Sequence, residues 1–397
     1  MNAYRKRAAA VLTVVSLAAS AGATPDLGDA TNRFGWDLYQ KLSATEDVNL
    51  FYSPASIALA LGMTWSGARG PTAAEMARVL HLPDDDPGTI AAFHDFLAAL
   101  QPRREAYELH IANRLFGRQG AEFLPSFLDG VAQGFGAPLQ EVDFAGDPDG
   151  SRILINDWVA EQTRDRILDL LAPGTIDRDT ELVLTNAIYF LAGWAEAFKD
   201  ALTSEAEFHR PGDSPVPVSF MEQTEWLPYF ENDLVQAVSL PYAEHQLEMV
   251  VVLPRETGGL ADLEAGRTWG EIEEWVDGLE ARSVKVRLPR FELEGQFDLG
   301  QILADLGMPT AFTGHADFSG MNGKGGLFIS KVVHKAFVKV DEQGTEAAAA
   351  TAVMIEKTSM APMGDPVLFQ ADHPFLFLIK HRATGAVLFM GKVADPS

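Results

Sequence analysis

Glu342-Gln343-Gly344-Thr345-Glu346-Ala347-Ala348-Ala349-Ala350-Thr351-Ala352 differs in character from the sequence on either side of it. Before it, Lys331 to Val340 alternates cleanly, with Val332, His334, Ala336, Val338 and Val340 on one face and Lys331, Lys335 and Lys339 on the other. That period of two predicts a strand. After it, Thr358-Ser359-Met360-Ala361-Pro362-Met363-Gly364 reads as a flexible, exposed peptide. Ala347 to Ala350 favour a helix by propensity, yet they follow a strand with almost no turn and lack a wide apolar stripe. Taken alone, the residues allow a short surface helix followed by a loop.

Working outward, Leu182 to Leu191 is a nearly continuous β-branched and aromatic run, as expected of a strand covered on both faces. Gln246 to Leu253 and Val284 to Leu288 are further strands, each stopped by a proline at Pro254 or Pro289. Earlier in the chain helical patterns dominate. Ile155, Trp158, Val159, Ile167, Leu168, Leu170 and Leu171 predict an amphipathic helix whose other face carries Asp157, Glu161, Arg164 and Asp165. Strands and helices partly segregated along the chain read as an α+β fold.

The chain has 397 residues, 47% hydrophobic and 22% charged, an ordinary globular composition. Its formal net charge of −25 has no compensating basic block, which argues against nucleic acid, heparin or an anionic membrane surface as partner. With no cysteine, thiol catalysis, disulfide scaffolds and iron–sulfur clusters are excluded. Residues 1–23 predict a signal peptide: Arg5, Lys6 and Arg7, an apolar stretch from Ala8 to Ala19, and Ala21-Gly22-Ala23 as cleavage site. A secreted or periplasmic product follows, with residues 24–397 as the folded part and no membrane association once the signal is removed. No G-x-S-x-G, H-E-x-x-H, Walker or G-x-G-x-x-G pattern occurs, and the nine histidines have no ligand spacing. No catalytic residue, metal or cofactor is therefore expected. Gly323-Lys324-Gly325-Gly326 is a tight turn on this reading.

The segment from Glu342 to Ala352 resembles the hinge of inhibitory serpins nearly residue for residue. Asn49-Leu50-Phe51-Tyr52-Ser53-Pro54-Ala55-Ser56, Thr185-Asn186-Ala187-Ile188-Tyr189-Phe190 with Trp194, Leu240-Pro241-Tyr242, Phe369 to Ile379 and Gly385 to Val393 resemble the same family in order. The resemblance runs from about Asn32 to Val393, and the A-x-A signal with no cysteine and no glycosylation site suits a bacterial-like secreted member. It implies a single serpin domain over 24–397, with three β-sheets, about nine helices and an exposed reactive-centre loop at about 342–365. That overrides the roughly two to three domains suggested by length alone.

The resemblance also implies a mechanism. The hinge, Glu342, Gly344, Thr345, Glu346, Ala347, Ala348, Ala349, Ala350 and Thr351, would enter the central sheet as a new strand, carrying an acylated serine protease with it as a covalent complex. On such a strand Thr345, Ala347, Ala349, Thr351 and Val353 share one face, and all are small or β-branched. A charged side chain there would be buried without a partner, at a cost of a few kcal/mol. The attacked bond falls after the seventeenth residue counted from the hinge glutamate, Thr358-Ser359, with Lys357 or Met360 as bait in a shorter or longer register. A threonine bait suits elastase-like and subtilisin-like enzymes.

Supporting positions carry over as well. His334 would join Asn186, Ser53 and Ser56 in a polar cluster where the sheet opens, though a satisfied core histidine is the plainer reading. Trp194 would sit where insertion begins, or is simply a core tryptophan. Glu342 and Arg290 would brace the top of the loop, against the alternative of a solvated pair worth under about 1 kcal/mol. A monomer is expected, with polymers by loop exchange. The competing functions are a non-inhibitory serpin acting as carrier, chaperone or storage protein, and a hydrolase, which the missing constellations disfavour.

Overall fold

The computed structural model describes residues 26–44, 49–83, 88–101, 107–345 and 365–397. Among them run fifteen strands, β1 Leu50–Tyr52, β2 Glu108–Arg118, β3 Gln140–Val142, β4 Leu182–Gly193, β5 Ser204–Phe208, β6 Val216–Glu231, β7 Val235–Pro241, β8 Leu247–Pro254, β9 Glu280–Pro289, β10 Phe291–Asp298, β11 Ile329–Asp341, β12 Gly344–Thr345, β13 Val367–Gln370, β14 Phe375–His381 and β15 Val387–Val393. The ten α-helices are α1 Leu27–Ser43, α2 Pro54–Ser66, α3 Gly70–Val79, α4 Thr89–Ala99, α5 Pro125–Phe135, α6 Pro148–Gln162, α7 Leu260–Glu264, α8 Trp269–Asp277, α9 Gly300–Leu306 and α10 Ser319–Asn322.

The strands form two hydrogen-bonded networks. One is a sheet in the order β10-β11-β12-β4-β2-β3, with β11 also paired directly to β4. The other has nine strands and turns a corner at β6. Residues Val216 to Phe220 of β6 pair with β5, residues Tyr229 to Glu231 with β7, and the stretch joining them, Phe220 to Tyr229, with β9. Phe220 and Met221 are adjacent and both buried, so the inward face switches at the bend. The three sheets expected are therefore three leaves, two of them sharing one bent strand.

β4 explains its own composition. One face packs into the main core with Leu184 and Ile188, and the other, with Val183 and Ala187, meets Phe116, Ile155, Val159, Ile167, Leu170 and Leu171. Both faces are covered, and the strand is apolar throughout. The covering layer differs from the expected helix over 155–171. α6 ends at Gln162, and Arg164, Asp165 and Asp169 have positive φ of 52°, 60° and 51°. Thr163 Oγ1 donates to the Val159 carbonyl and accepts from the Ile167 amide, ending the helix locally. Asn156 then holds both the amide and carbonyl of Leu171, so the apolar residues past Thr163 reach the sheet on non-helical backbone.

Candidate functional site

β11 and β4 lie side by side in parallel, with His334 opposite Asn186. α2 delivers two serines to this seam. Ser53 caps the helix, accepting from the Ser56 amide at 3.2 Å, and Pro54 occupies the first turn, where a missing N–H costs nothing. Ser53 Oγ donates to the Leu388 carbonyl at 2.6 Å, tying the helix start to β15. His334 Nε2 accepts from the Ser53 amide at 3.1 Å, so its proton sits on Nδ1 and is donated to Asn186 Oδ1. Asn186 Nδ2 donates to Ser56 Oγ at 2.7 Å and to Asn113 Oδ1 at 2.6 Å. Asn113 Nδ2 donates to the Ser56 carbonyl at 2.8 Å. Each of these side chains is buried and partnered. Burial of the His334 ring pushes its pKa down to about 3, opposed only in part by Asn186, so the ring is neutral at ordinary pH.

The structure thus brings together Ser53, Ser56, Asn186 and His334, and adds Asn113, which sequence reasoning missed. Asn113 lies on β2 directly opposite Asn186. Its signal was present: it interrupts an alternation of Leu109, Ile111 and Leu115, three residues of the main core face.

A second cluster closes the upper end of the same seam. β11 turns back through Glu342 and Gln343 into β12, pairing Asp341 with Gly344 and Val340 with Thr345. β12 pairs on its other edge with Ala192 and Gly193 of β4. Gly344 has φ of 151°, and a Cβ there would stand 2.1 Å from the Ala192 carbonyl oxygen, so only glycine fits. Thr345 is completely buried, and its Oγ1 lies 2.6 Å from Tyr242 Oη. Trp194 stacks on Tyr242 with ring centroids 4.6 Å apart. Its indole N–H donates to the Asp341 carbonyl and its backbone amide to the Gln343 carbonyl, both at 2.9 Å. Tyr242 and Thr203 were also missed by sequence reasoning, Tyr242 because its partner lies 103 residues away.

Glu342 is buried in the turn, while the side chain of its partner Arg290 is 47% exposed. Arg290 Nε donates to both carboxylate oxygens at 2.9 and 2.8 Å, and Thr203 Oγ1 donates at 2.5 Å. Burial pushes the Glu342 carboxyl up, but these donors outweigh it and hold it below the usual carboxylate range. Donating to Glu342 raises the pKa of Arg290 in turn.

Of the expected hinge, Glu342, Gly344 and Thr345 are placed here. Glu346, Ala347, Ala348, Ala349, Ala350 and Thr351, together with the reactive-bond candidates Lys357, Thr358, Ser359 and Met360, lie outside the described residues. Chemically, the site is a sheet seam closed below by a polar cluster and entered above by two residues of a following segment. Among the described residues no group of His, Asp and Glu could hold a metal ion.

Residues 29–396 match the family model for serpin (serine protease inhibitor). The chain is 41% identical to Serpin B6 of Macaca fascicularis over 379 residues, 93% of this chain and 99% of that one. It is 40% identical to the leukocyte elastase inhibitor of Xenopus laevis over 380 residues, 94% and 100% of the two chains. Among solved structures it is similar to a serpin of the insect Tenebrio molitor described as highly specific, with a TM-score of 0.83, 33% identity, and 94% and 98% of the chains covered.

Proposed function

The chain belongs to the serpin family, and from that premise we propose that it is a suicide-substrate inhibitor of serine proteases that traps its target by inserting the segment after Thr345 into the six-stranded sheet. One observation carries this reading. β11 and β4 are paired directly along their length, yet at the top they part for Gly344 and Thr345, which already hydrogen-bond to both strands. A strand continuing downward from Thr345 would separate β11 from β4 and pair on both edges. The His334 to Asn186 contact is what it would have to break. Ala347, Ala349, Thr351 and Val353 then follow Thr345 on the inward face, small enough to pass beneath the covering layer.

The attacked bond is Thr358-Ser359 on this reading, and the targets are elastase-like or subtilisin-like, in keeping with a small uncharged bait. About fourteen residues from Thr345 to Thr358, at about 3.3 Å each, span roughly 45 Å, the scale of a domain. Displacement on that scale would pull the protease's acyl bond out of reach of its own catalytic groups, which tolerate little misplacement. The N-terminal pattern supports export, with residues 1–23 removed and the inhibitor acting as a monomer in the periplasm or outside the cell. Mixing the purified protein with pancreatic elastase and subtilisin should give a covalent band that survives SDS. Cleavage of the loop without that band would favour a non-inhibitory member of the family.

A further inference from the structure

Trp226 on β6 is 63% exposed, the most exposed large hydrophobic side chain among the described residues, and Leu368 on β13 is 51% exposed. An exposed leucine is ordinary, but a tryptophan left two-thirds in water forfeits a large burial gain. The two share one face. Leu368 pairs with Lys285 of β9, Lys285 with Thr224 of β6, and Trp226 lies two residues along from Thr224. Two strand spacings and two residues put their Cα atoms about 12 Å apart. The face between them is charge-compensated, since Lys285 pairs with Glu222 at 2.8 Å. A partner settling there would find two apolar anchors and no unpaired charge on Lys285, the composition from which binding hot spots are built.

We propose that Trp226 and Leu368 form a docking contact for the body of the target protease, separate from the attacked bond and setting which proteases are captured quickly. This rests on the inhibitory reading above. Reach argues for that occupant. Leu368 stands ten residues after Thr358, a chain length of at most roughly 35 Å, and a protease of ordinary domain size is roughly 45 Å across. An enzyme engaged at Thr358 therefore has surface within range of this face, and Trp226 lies two strands further on.

The test compares wild type with Trp226→Ala, Leu368→Ser and the double variant, against pancreatic elastase and subtilisin, and against the same enzymes with the catalytic serine replaced by alanine. Both side chains are exposed, so unchanged circular dichroism and melting are expected. The double variant should form covalent complex about tenfold more slowly, with unchanged stoichiometry, because docking precedes the steps that partition the loop. Rates within twofold of wild type for both enzymes overturn the contact. If wild type makes no covalent complex with either enzyme, the inhibitory reading falls, and the inactivated proteases decide the docking contact separately. About tenfold weaker binding of those by the double variant sustains it, whereas equal or undetectable binding overturns it. A wild-type dimer that the double variant converts to monomer would assign the face to a second copy of this chain and overturn it too.

Discussion

Tyr242 Oη and Thr345 Oγ1 meet at 2.6 Å inside the protein, and this contact holds a fully buried residue at the start of the segment that runs on towards Thr358. Tyr242 is anchored independently by Trp194, through a bridge between their backbones and the stacking of their rings. Burial pushes the Tyr242 hydroxyl well above its usual range, so it remains protonated and available to Thr345.

Tyr242→Phe keeps the stack and removes only the hydroxyl. Thr345 is then buried with its own hydroxyl short of a partner, a loss of about 1 kcal/mol or somewhat more. The expected outcome is about fivefold faster amide hydrogen exchange at Gly344 and Thr345, without change at His334. Unchanged exchange at Thr345 would mean that the backbone ladder alone holds β12.

On the proposed inhibitory function, Thr345→Arg should turn the protein from inhibitor into substrate. The threonine is fully buried between β11 and β4, and an arginine there has no counter-ion close by, since Glu342 is already committed to Arg290 and Thr203. The hinge would be expelled and insertion slowed, while attack on a bait thirteen residues away proceeds. Full cleavage with little covalent complex is the expected signature; complex formation at wild-type stoichiometry would refute the assignment of the inserting face.

His334 makes stability depend on pH. Its folded pKa of about 3 lies well under its unfolded value near 6.5. Below about 6.5 the unfolded chain takes up a proton that the folded chain refuses, so folding weakens as pH falls towards 3. His334→Gln lacks that titration. The advantage of wild type over the variant should therefore shrink by about 1.4 kcal/mol per pH unit, or about 2 kcal/mol between pH 7 and pH 5. Equal urea midpoint differences at the two pH values would show that the ring is solvated and not sealed in the seam.

Much of this was legible in the residues, for identifiable reasons. β11 announced itself because Val332, His334, Ala336, Val338 and Val340 face the core while Lys331 and Lys339 do not. Lys335 was expected outside and is nearly buried, because Glu294 pairs with it at 2.9 Å beneath the Leu168 carbonyl. The end of α6 was not legible. Ile167, Leu170 and Leu171 continue an apolar pattern whether the backbone is helical or not, and the stop signal is a side chain, Thr163, bonding its own neighbours. Tyr242 was hidden for another reason: it is defined by a partner distant in sequence, Thr345.

Clean cleavage between Glu356 and Met360, without a trapped protease, should raise thermal stability substantially. The freed segment could continue the ladder that β12 begins, pairing with both β11 and β4 in place of water. The uncleaved form is then a kinetically held state. An unchanged melting temperature after cleavage would exclude insertion for this protein.

The bond attacked is open to direct reading. Mass spectrometry of the C-terminal fragment released by elastase or subtilisin should find Ser359 at its new N-terminus, leaving Thr358 on the acyl bond. Thr358→Arg should then redirect inhibition towards trypsin-like enzymes, whose pocket carries a carboxylate for such a side chain. Lys357 supplies an internal control. If the unmodified protein traps trypsin efficiently and the fragment begins at Thr358, the register is one residue shorter; a fragment beginning at Ala361 would make Met360 the bait. Either shift moves the bait alone, because the position of Thr345 in the sheet is set by Gly344, Tyr242 and the turn at Glu342.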